Sequence, residues 1–234
     1  MRLQLLGDAR DSFKWDCIHF LVSKAQTLQQ LLVVPMRCDD VPQSSEGKIP
    51  PERFRARPEV ARFLNSLREE PRSFQQIASL GALDGLPCID VQVYQPDRLL
   101  GYGWQRAAYW TDLHTYPFAK TFVFLDPDTG FESKSQAGER HLRFGEVHAV
   151  CTSIRDRGVL AVYHHRGQGQ SWADVLRRLW ESMPPELCLR AIYGGDVALV
   201  LLGHIKPMEN LDGPIRAYIR AHPQLRVSDD GSVQ

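Results

Sequence analysis

The sequence lacks a C-x-x-C pair: its five cysteines, Cys17, Cys38, Cys88, Cys151 and Cys188, are scattered and odd in number. That excludes a disulfide framework and a zinc ribbon and leaves cysteine as a small apolar residue suited to a reducing compartment. It also lacks an excess of charge, with 28 basic and 28 acidic residues in 234. The whole-domain basic footprint of many nucleic-acid binders is therefore missing, and any contact with RNA or DNA must come from a local patch. No apolar stretch reaches the roughly 18 residues of a membrane span, and the first residues do not have the layout of a signal peptide. The expectation is a soluble, cytoplasmic protein with no membrane partner. Internal repeats and low-complexity segments are absent as well.

What is present centres on Thr121–Lys134, TFVFLDPDTGFESK. Thr121 to Leu125 has the length and composition of a strand buried on both faces, and it stops at Asp126-Pro127-Asp128-Thr129-Gly130, a cluster of turn formers. Ligands of open α/β sheets sit outside the carboxyl ends of the strands, so Asp126 and Asp128 stand where chemistry is expected. Upstream, Asp8 caps a helix over 10–24, on which Asp11, Lys14 and Trp15 lie near one face. Leu31 to Met36 reads as the first strand, ending at Pro35. The segment 37–57, rich in Pro, Ser and charge, reads as a long exposed loop whose Arg37, Lys48, Arg53, Arg55 and Arg57 are candidate phosphate ligands.

Helices are expected over 59–68, 73–80, 104–113, 144–155 and 172–183, and strands over 88–94 and 159–163. The aromatic residues of the third of these helices, Trp104, Tyr109 and Trp110, suit either base stacking or a core. The strand at 159–163 ends in His164 and His165. Neighbouring residues on a strand point to opposite faces, so one of the two, taken as His165, is expected to face a site. Segments 187–193 and 197–202 flank Gly194-Gly195-Asp196 as a hairpin, a short helix follows near 213–221, and 227–234 reads as a frayed tail. The order predicts a single α/β domain over 1–234: a Rossmann-like, methyltransferase-type three-layer sandwich with a mostly parallel sheet, a C-terminal antiparallel hairpin, and a loop-helix insertion at about 37–86.

A G-D-x-x-D-x-x-K-W helix before the first strand, a strand ending in D-P-D-x-G and a next strand ending in Y-H-H together resemble the DPPY-type adenine-N6 methyltransferases of large-subunit ribosomal RNA. They are closer still to a prokaryotic family with D-P-D-N-G and Y-Q-H or Y-H-H at the same strand ends. The resemblance implies S-adenosylmethionine as cofactor and nucleic acid as substrate. By position, Asp126 matches the acid that orients the adenine amino group, Pro127 the following proline, and Lys14 the helix lysine beside the cofactor. Asp11 and Pro35 fall with Lys14 on the cofactor side, and Thr129 and Gly130 with Pro127 on the substrate side. Asp128 replaces the second proline and Thr129 the stacking tyrosine, while the glycine-rich turn after strand one is replaced by Pro35-Met36-Arg37-Cys38-Asp39-Asp40.

The same residues fit other chemistry. Asp126, Asp128 and Glu132, with Lys134 and a histidine nearby, suit a Mg²⁺ or Mn²⁺ site in a nuclease or phosphoesterase. The hhhh-D-x-D order is also that of haloacid-dehalogenase-type phosphatases, in which the first Asp is the nucleophile. The third class is a non-catalytic binding subunit. Under the first reading the catalytic candidates are Asp126, Asp128 and His165.

Overall fold

The computed structural model describes residues 1–39, 56–132, 138–167, 169–229 and 232–233. Helix α1 (Ala9–Lys24) precedes strand β1 (Gln30–Val34), and Asp8 caps it as expected, its carboxylate accepting from the backbone N–H groups of Arg10 and Asp11 at 2.9 and 3.2 Å. After β1 come α2 (Pro58–Ser66), a 3₁₀ segment (Phe74–Ala82), β2 (Asp90–Val93), α3 (Gly103–His114) and β3 (Thr121–Leu125). Two short strands, β4 (Gly130–Phe131) and β5 (His141–Leu142), pair with each other beyond β3. Then follow α4 (Phe144–Ile154), β6 (Gly158–His165), α5 (Trp172–Glu181), β7 (Cys188–Gly194), β8 (Val197–Gly203), α6 (Ile205–Ala221), β9 (Arg226–Asp229) and β10 (Ser232–Val233).

The main sheet has eight strands in the order β10-β9-β7-β8-β6-β3-β1-β2. The half β2-β1-β3-β6 is parallel, and every later pairing is antiparallel. Alternate residues of the strands feed two cores. Leu31, Val33, Phe122 and Phe124 join α1, α2 and α6 on one face; Leu32, Val34, Val123 and Leu125 join α3, α4 and α5 on the other. The chain is thus a three-layer α/β sandwich, and the central runs are apolar throughout because both faces are covered. The strand order reverses between β1 and β3, which opens a crevice at their carboxyl ends.

Four expectations change. The hairpin β7-β8 lies inside the sheet, because residues 226–229 pair with β7 (Val227 opposite Ile192) and satisfy an edge that a frayed tail would leave open. The terminal helix starts eight residues earlier than 213: Met208, Leu211, Ile215 and Tyr218 form a buried stripe that outweighs the donor lost at Pro214. Residues 141–142, where no element is expected from sequence, form β5. The segment after Ser73 is 3₁₀ rather than α, with Ser73 and Gln76 as a capping box. Of the insertion, α2 and the 3₁₀ segment pack Val60, Phe63, Leu64, Phe74, Ile77 and Leu80 into the α1-side core. Arg57 also belongs to that packed part and not to a solvated loop. Lys48, Arg53, Arg55 and Lys134 lie outside the described residues.

Candidate functional site

Lys14 brings the two ends of the motif pattern together. Its Nζ stands 2.6 Å from Asp11 Oδ1, one turn back on α1, and 2.7 Å from Asp126 Oδ2 at the end of β3. Asp11 is held from the other side by the backbone N–H of Gly7 at 2.7 Å. Trp15, edge-on to Phe124 at 5.4 Å, packs the base of α1 on the sheet, and the ammonium lies 5.0 Å from the Trp15 ring and 5.1 Å from that of Tyr163. Burial opposes charge on Lys14, but Asp11 and Asp126 overcome it and hold the ammonium above the ordinary lysine value. Burial also raises the Asp126 carboxyl above its ordinary value, against the pull of Lys14.

These residues line a cavity of about 400 Å³ at the carboxyl ends of β3 and β6, which Asp128, Pro127 and Thr129 enter from the D-P-D-T-G loop. Asp128 is fixed by Arg2, whose Nε donates to Oδ1 at 2.8 Å. Asp8, at the mouth, is pushed up to about 6 by burial and by Asp11. Both histidines of β6 reach the cavity. Alternation holds, because β8 pairs with β6 through His165, and the two side chains leave on opposite faces; β3 ends at Leu125 opposite Val162, so the cavity reaches round the end of that strand and receives both. His164, 3% exposed, accepts from Phe131 N–H on Nδ1 at 3.1 Å. Burial, then His165 and Arg178, lower it to about 3; burial, then Arg10 and Lys14, lower His165 to about 4. Both are neutral imidazoles at neutral pH.

Five side-chain atoms enclosed at this cavity have no hydrogen-bond partner among the described residues: Asp128 Oδ2, His141 Nδ1, His164 Nε2, Arg166 Nε and Arg178 Nε. Buried polar atoms are normally paired, so this concentration marks a place built for a polar ligand.

Three expected site residues stand elsewhere. Pro35 is buried behind the end of β1 and does not line the cavity. Gly130 serves packing: at φ 93°, any Cβ there would meet His164 Nδ1 at 2.1 Å. Glu132 caps α4, its Oε1 accepting from Phe144 N–H at 2.8 Å. Thr129 ties its loop to Arg140 O through Oγ1 at 3.0 Å. The carboxylates proposed for a metal are thus divided between Lys14, Arg2 and a helix cap, and among the described residues no three His, Cys, Asp or Glu side chains form a metal-holding group. Asp126, Asp128 and Glu132 do not fit Mg²⁺ or Mn²⁺ as a set. Arg2, His164, Arg166 and Arg178 were not singled out from sequence; Arg2 and Arg178 carry no signal there, whereas His164 was set aside only by strand alternation.

A second cavity, of about 680 Å³, lies at the carboxyl ends of β1 and β2. The turn after β1 contains Met36 at φ 44°, with its side chain buried in the core, so it is not an open glycine cradle. A G-x-G turn instead opens α3: Gly101 and Gly103 have φ of 66° and 46°, and both line or adjoin this cavity. Trp104 is 79% and Tyr102 62% exposed at its rim, beside Arg37, Asp39 and Asp97. These groups fit the nucleoside part of S-adenosylmethionine, with aromatic faces for the base and carboxylates for hydroxyls or the amine. Arg140 lines this second cavity and stands 3.7 Å from Asp128 of the first. Tyr109 and Trp110, by contrast, are core residues of α3. Among the described residues no helix is long and apolar enough to cross a membrane.

In comparisons with known proteins, the chain matches no family model and no curated protein sequence.

Proposed function

We propose that the protein is a methyltransferase-like enzyme that acts on an amino group of nucleic acid, with Asp126 as its central residue. The observation that carries the reading is the contact of Lys14 with Asp126 at 2.7 Å across 112 residues of sequence, which unites the helix and the D-P-D-x-G loop as the resemblance implies. The strand order adds support: β8 runs antiparallel between β6 and β7, the arrangement expected of a methyltransferase-type sheet.

In this reading S-adenosylmethionine, when bound, supplies an electrophilic methyl group. The second cavity would hold it, with Trp104 or Tyr102 against the adenine and Asp39 or Asp97 on hydroxyls. Lys14 occupies Oδ2 of Asp126 and orients the carboxylate, which leaves Oδ1 to accept a hydrogen bond from a substrate amino group and aim its lone pair. His165, a neutral imidazole in the same cavity, is a base for the proton that the amino nitrogen releases.

The test is binding and transfer. S-adenosylmethionine at 100 times its dissociation constant should stabilise the protein by about 2.7 kcal/mol, and labelled methyl should appear in RNA or DNA with the native chain but not with Asp126→Asn. No cofactor-dependent stabilisation at any concentration would overturn the reading.

A second reading, phosphoester chemistry without a three-carboxylate metal site, is favoured by the unpaired donors around His164. It predicts turnover of a phosphoester with no requirement for S-adenosylmethionine.

A further inference from the structure

We propose that the part of the cavity between the end of β6 and α5 is a binding site for a phosphoryl group, with His164, Arg166 and Arg178 as its donors. The site stands on these side chains alone and does not depend on methyl transfer being the reaction.

The charges lining the cavity are mostly spoken for. Asp11 and Asp126 share Lys14, Asp128 is held by Arg2, and Asp196 by Arg10 at 3.2 Å. Asp8 is engaged by the first turn of α1. The two cations left over are Arg166 and Arg178: among the described residues neither forms an ion pair, and the Nε of each is enclosed without a hydrogen-bond partner. Beside them, His164 accepts from Phe131 N–H on Nδ1, so in the neutral ring the proton sits on Nε2, and that N–H is likewise enclosed and unpaired. Leaving a buried donor unpaired costs about 1–3 kcal/mol, and a fold that leaves three together gains only when an acceptor-rich ligand fills the place.

The donors specify the ligand. Two guanidinium groups and an imidazole N–H converging from β6 and α5 are best matched by three separate anionic oxygens, which a phosphoryl group offers and a carboxylate, with two oxygens in one plane, does not. Arg166 is already oriented, its Nη1 donating to Gln170 O at 2.6 Å and its guanidinium lying 5.9 Å from the Trp172 ring centroid. The glycine at 130 is what lets the His164 ring approach the loop. Asp128 Oδ2, enclosed in the same cavity without a hydrogen bond, repels a bare dianion and selects a ligand that carries a hydroxyl beside its phosphoryl oxygens. A ribonucleotide or an RNA strand carries both.

Calorimetric titration of the full chain with inorganic phosphate, a nucleoside monophosphate and a short single-stranded RNA lacking terminal phosphates tests the site and separates its sources. Saturable binding of phosphate or the nucleotide, weakened about tenfold or more in Arg166→Gln and in Arg178→Lys, supports the assignment. Competition by the RNA identifies a backbone phosphate, and its absence a small phosphorylated molecule. Because either variant could fail to fold, the His164 imidazole is also followed by nitrogen NMR in the native chain, where phosphate should shift its Nε2 resonance and leave that of His222 unmoved. No saturable binding of either phosphate or the nucleotide at millimolar concentration, or binding that leaves His164 unshifted, would overturn it.

Discussion

Helix α1 carries two buried charge clusters on opposite faces, and they differ in one respect that separates structure from chemistry. Lys14 and Asp16 are two residues apart, about 200° around the helix. On one face Lys14 meets Asp11 and Asp126 at the cavity. On the other, Asp16 is fully enclosed and fully paired: Oδ1 accepts from Arg57 N and Nε at 3.1 and 2.7 Å, Oδ2 from the Tyr218 hydroxyl at 2.9 Å, and its carbonyl from Arg57 Nη2 at 2.9 Å. That cluster ties α1 to the insertion and to α6 and leaves its carboxylate nothing to offer a ligand. The Lys14 cluster borders five polar atoms that are unpaired among the described residues. Burial of charge is common to both, and the difference lies in how much hydrogen bonding is unmet: among the described residues His19 Nε2 is left over beside the Asp16 cluster, against five atoms at the cavity.

The contrast is tested most severely by Asp16→Ala. Removing one member of a buried, fully bonded charge network leaves Arg57 and the Tyr218 hydroxyl without their acceptor, and the expected loss is about 3–5 kcal/mol in denaturant unfolding. Phosphate affinity of the folded fraction should stay at the native value. A loss below about 1 kcal/mol would mean that the pairing is ornamental and that the two clusters are not different in kind.

Asp126→Asn is the complementary experiment. It keeps the shape, removes the charge, and leaves Lys14 its second partner Asp11, so the stability change should be well under that of Asp16→Ala. Activity should fall by about 100-fold or more in kcat/KM, near 2.7 kcal/mol at 1.36 kcal/mol per tenfold. If the variant unfolds as readily as Asp16→Ala, Asp126 is a second structural tie.

The Lys14 cluster was legible in the sequence and the Asp16 cluster was not, for a physical reason. Motif order and strand-end chemistry mark Asp126, Asp128 and Lys14, because parallel sheets deliver their loops to one edge. The partners of Asp16 come from an insertion and from α6, which no local pattern joins to α1. The layered α/β fold was equally legible from buried strand runs alternating with helices. Strand β9 was not, since Val227 lies in a polar stretch whose pairing depends on the open edge of β7. His164 was passed over because alternation puts only one of two neighbours on a given face, whereas the cavity wraps round the end of β3 and meets both.

Acid should weaken the fold through buried imidazoles at both clusters, because His19, whose Nδ1 lies 3.3 Å from Arg57 beside Asp16, is lowered to about 4 by burial and then by Arg57, over much the same range as His164. The His164 value falls from 6.5 to about 3 on folding, so the folded state favours the neutral ring. Its contribution is complete above pH 6.5 and is lost as pH falls toward 3. At pH 5 the loss should be roughly 2 kcal/mol, from 1.5 units at 1.36 kcal/mol each. Asp8, raised to about 6, runs the other way, its contribution being present below 3.8 and lost as pH rises through 6. Comparing native protein with His164→Gln between pH 7 and pH 5 isolates the imidazole: the variant should lose about 2 kcal/mol less. Equal losses would place His164 outside the acid response.

The smallest effect on stability is expected at Trp104, and it sharpens the same comparison at the second cavity. Four-fifths of this side chain is exposed, while Tyr109 and Trp110 on the same helix are buried in the core. A large indole left four-fifths exposed in the cavity that Arg37 and Arg98 also line is the opposite of a saturated contact, since little of its surface is buried. Trp104→Ala should therefore change unfolding free energy by no more than about 0.5 kcal/mol. If the cavity receives a nucleobase, from a cofactor or from a strand, stacking worth about 1–3 kcal/mol disappears with the ring, and affinity for that ligand falls at least about fivefold. Trp104→Phe should restore most of it, since a smaller ring still offers a face. A Trp104→Ala protein that binds single-stranded RNA and S-adenosylmethionine at native strength would show that exposure at this rim, unlike the unpaired atoms around His164, is not a mark of function.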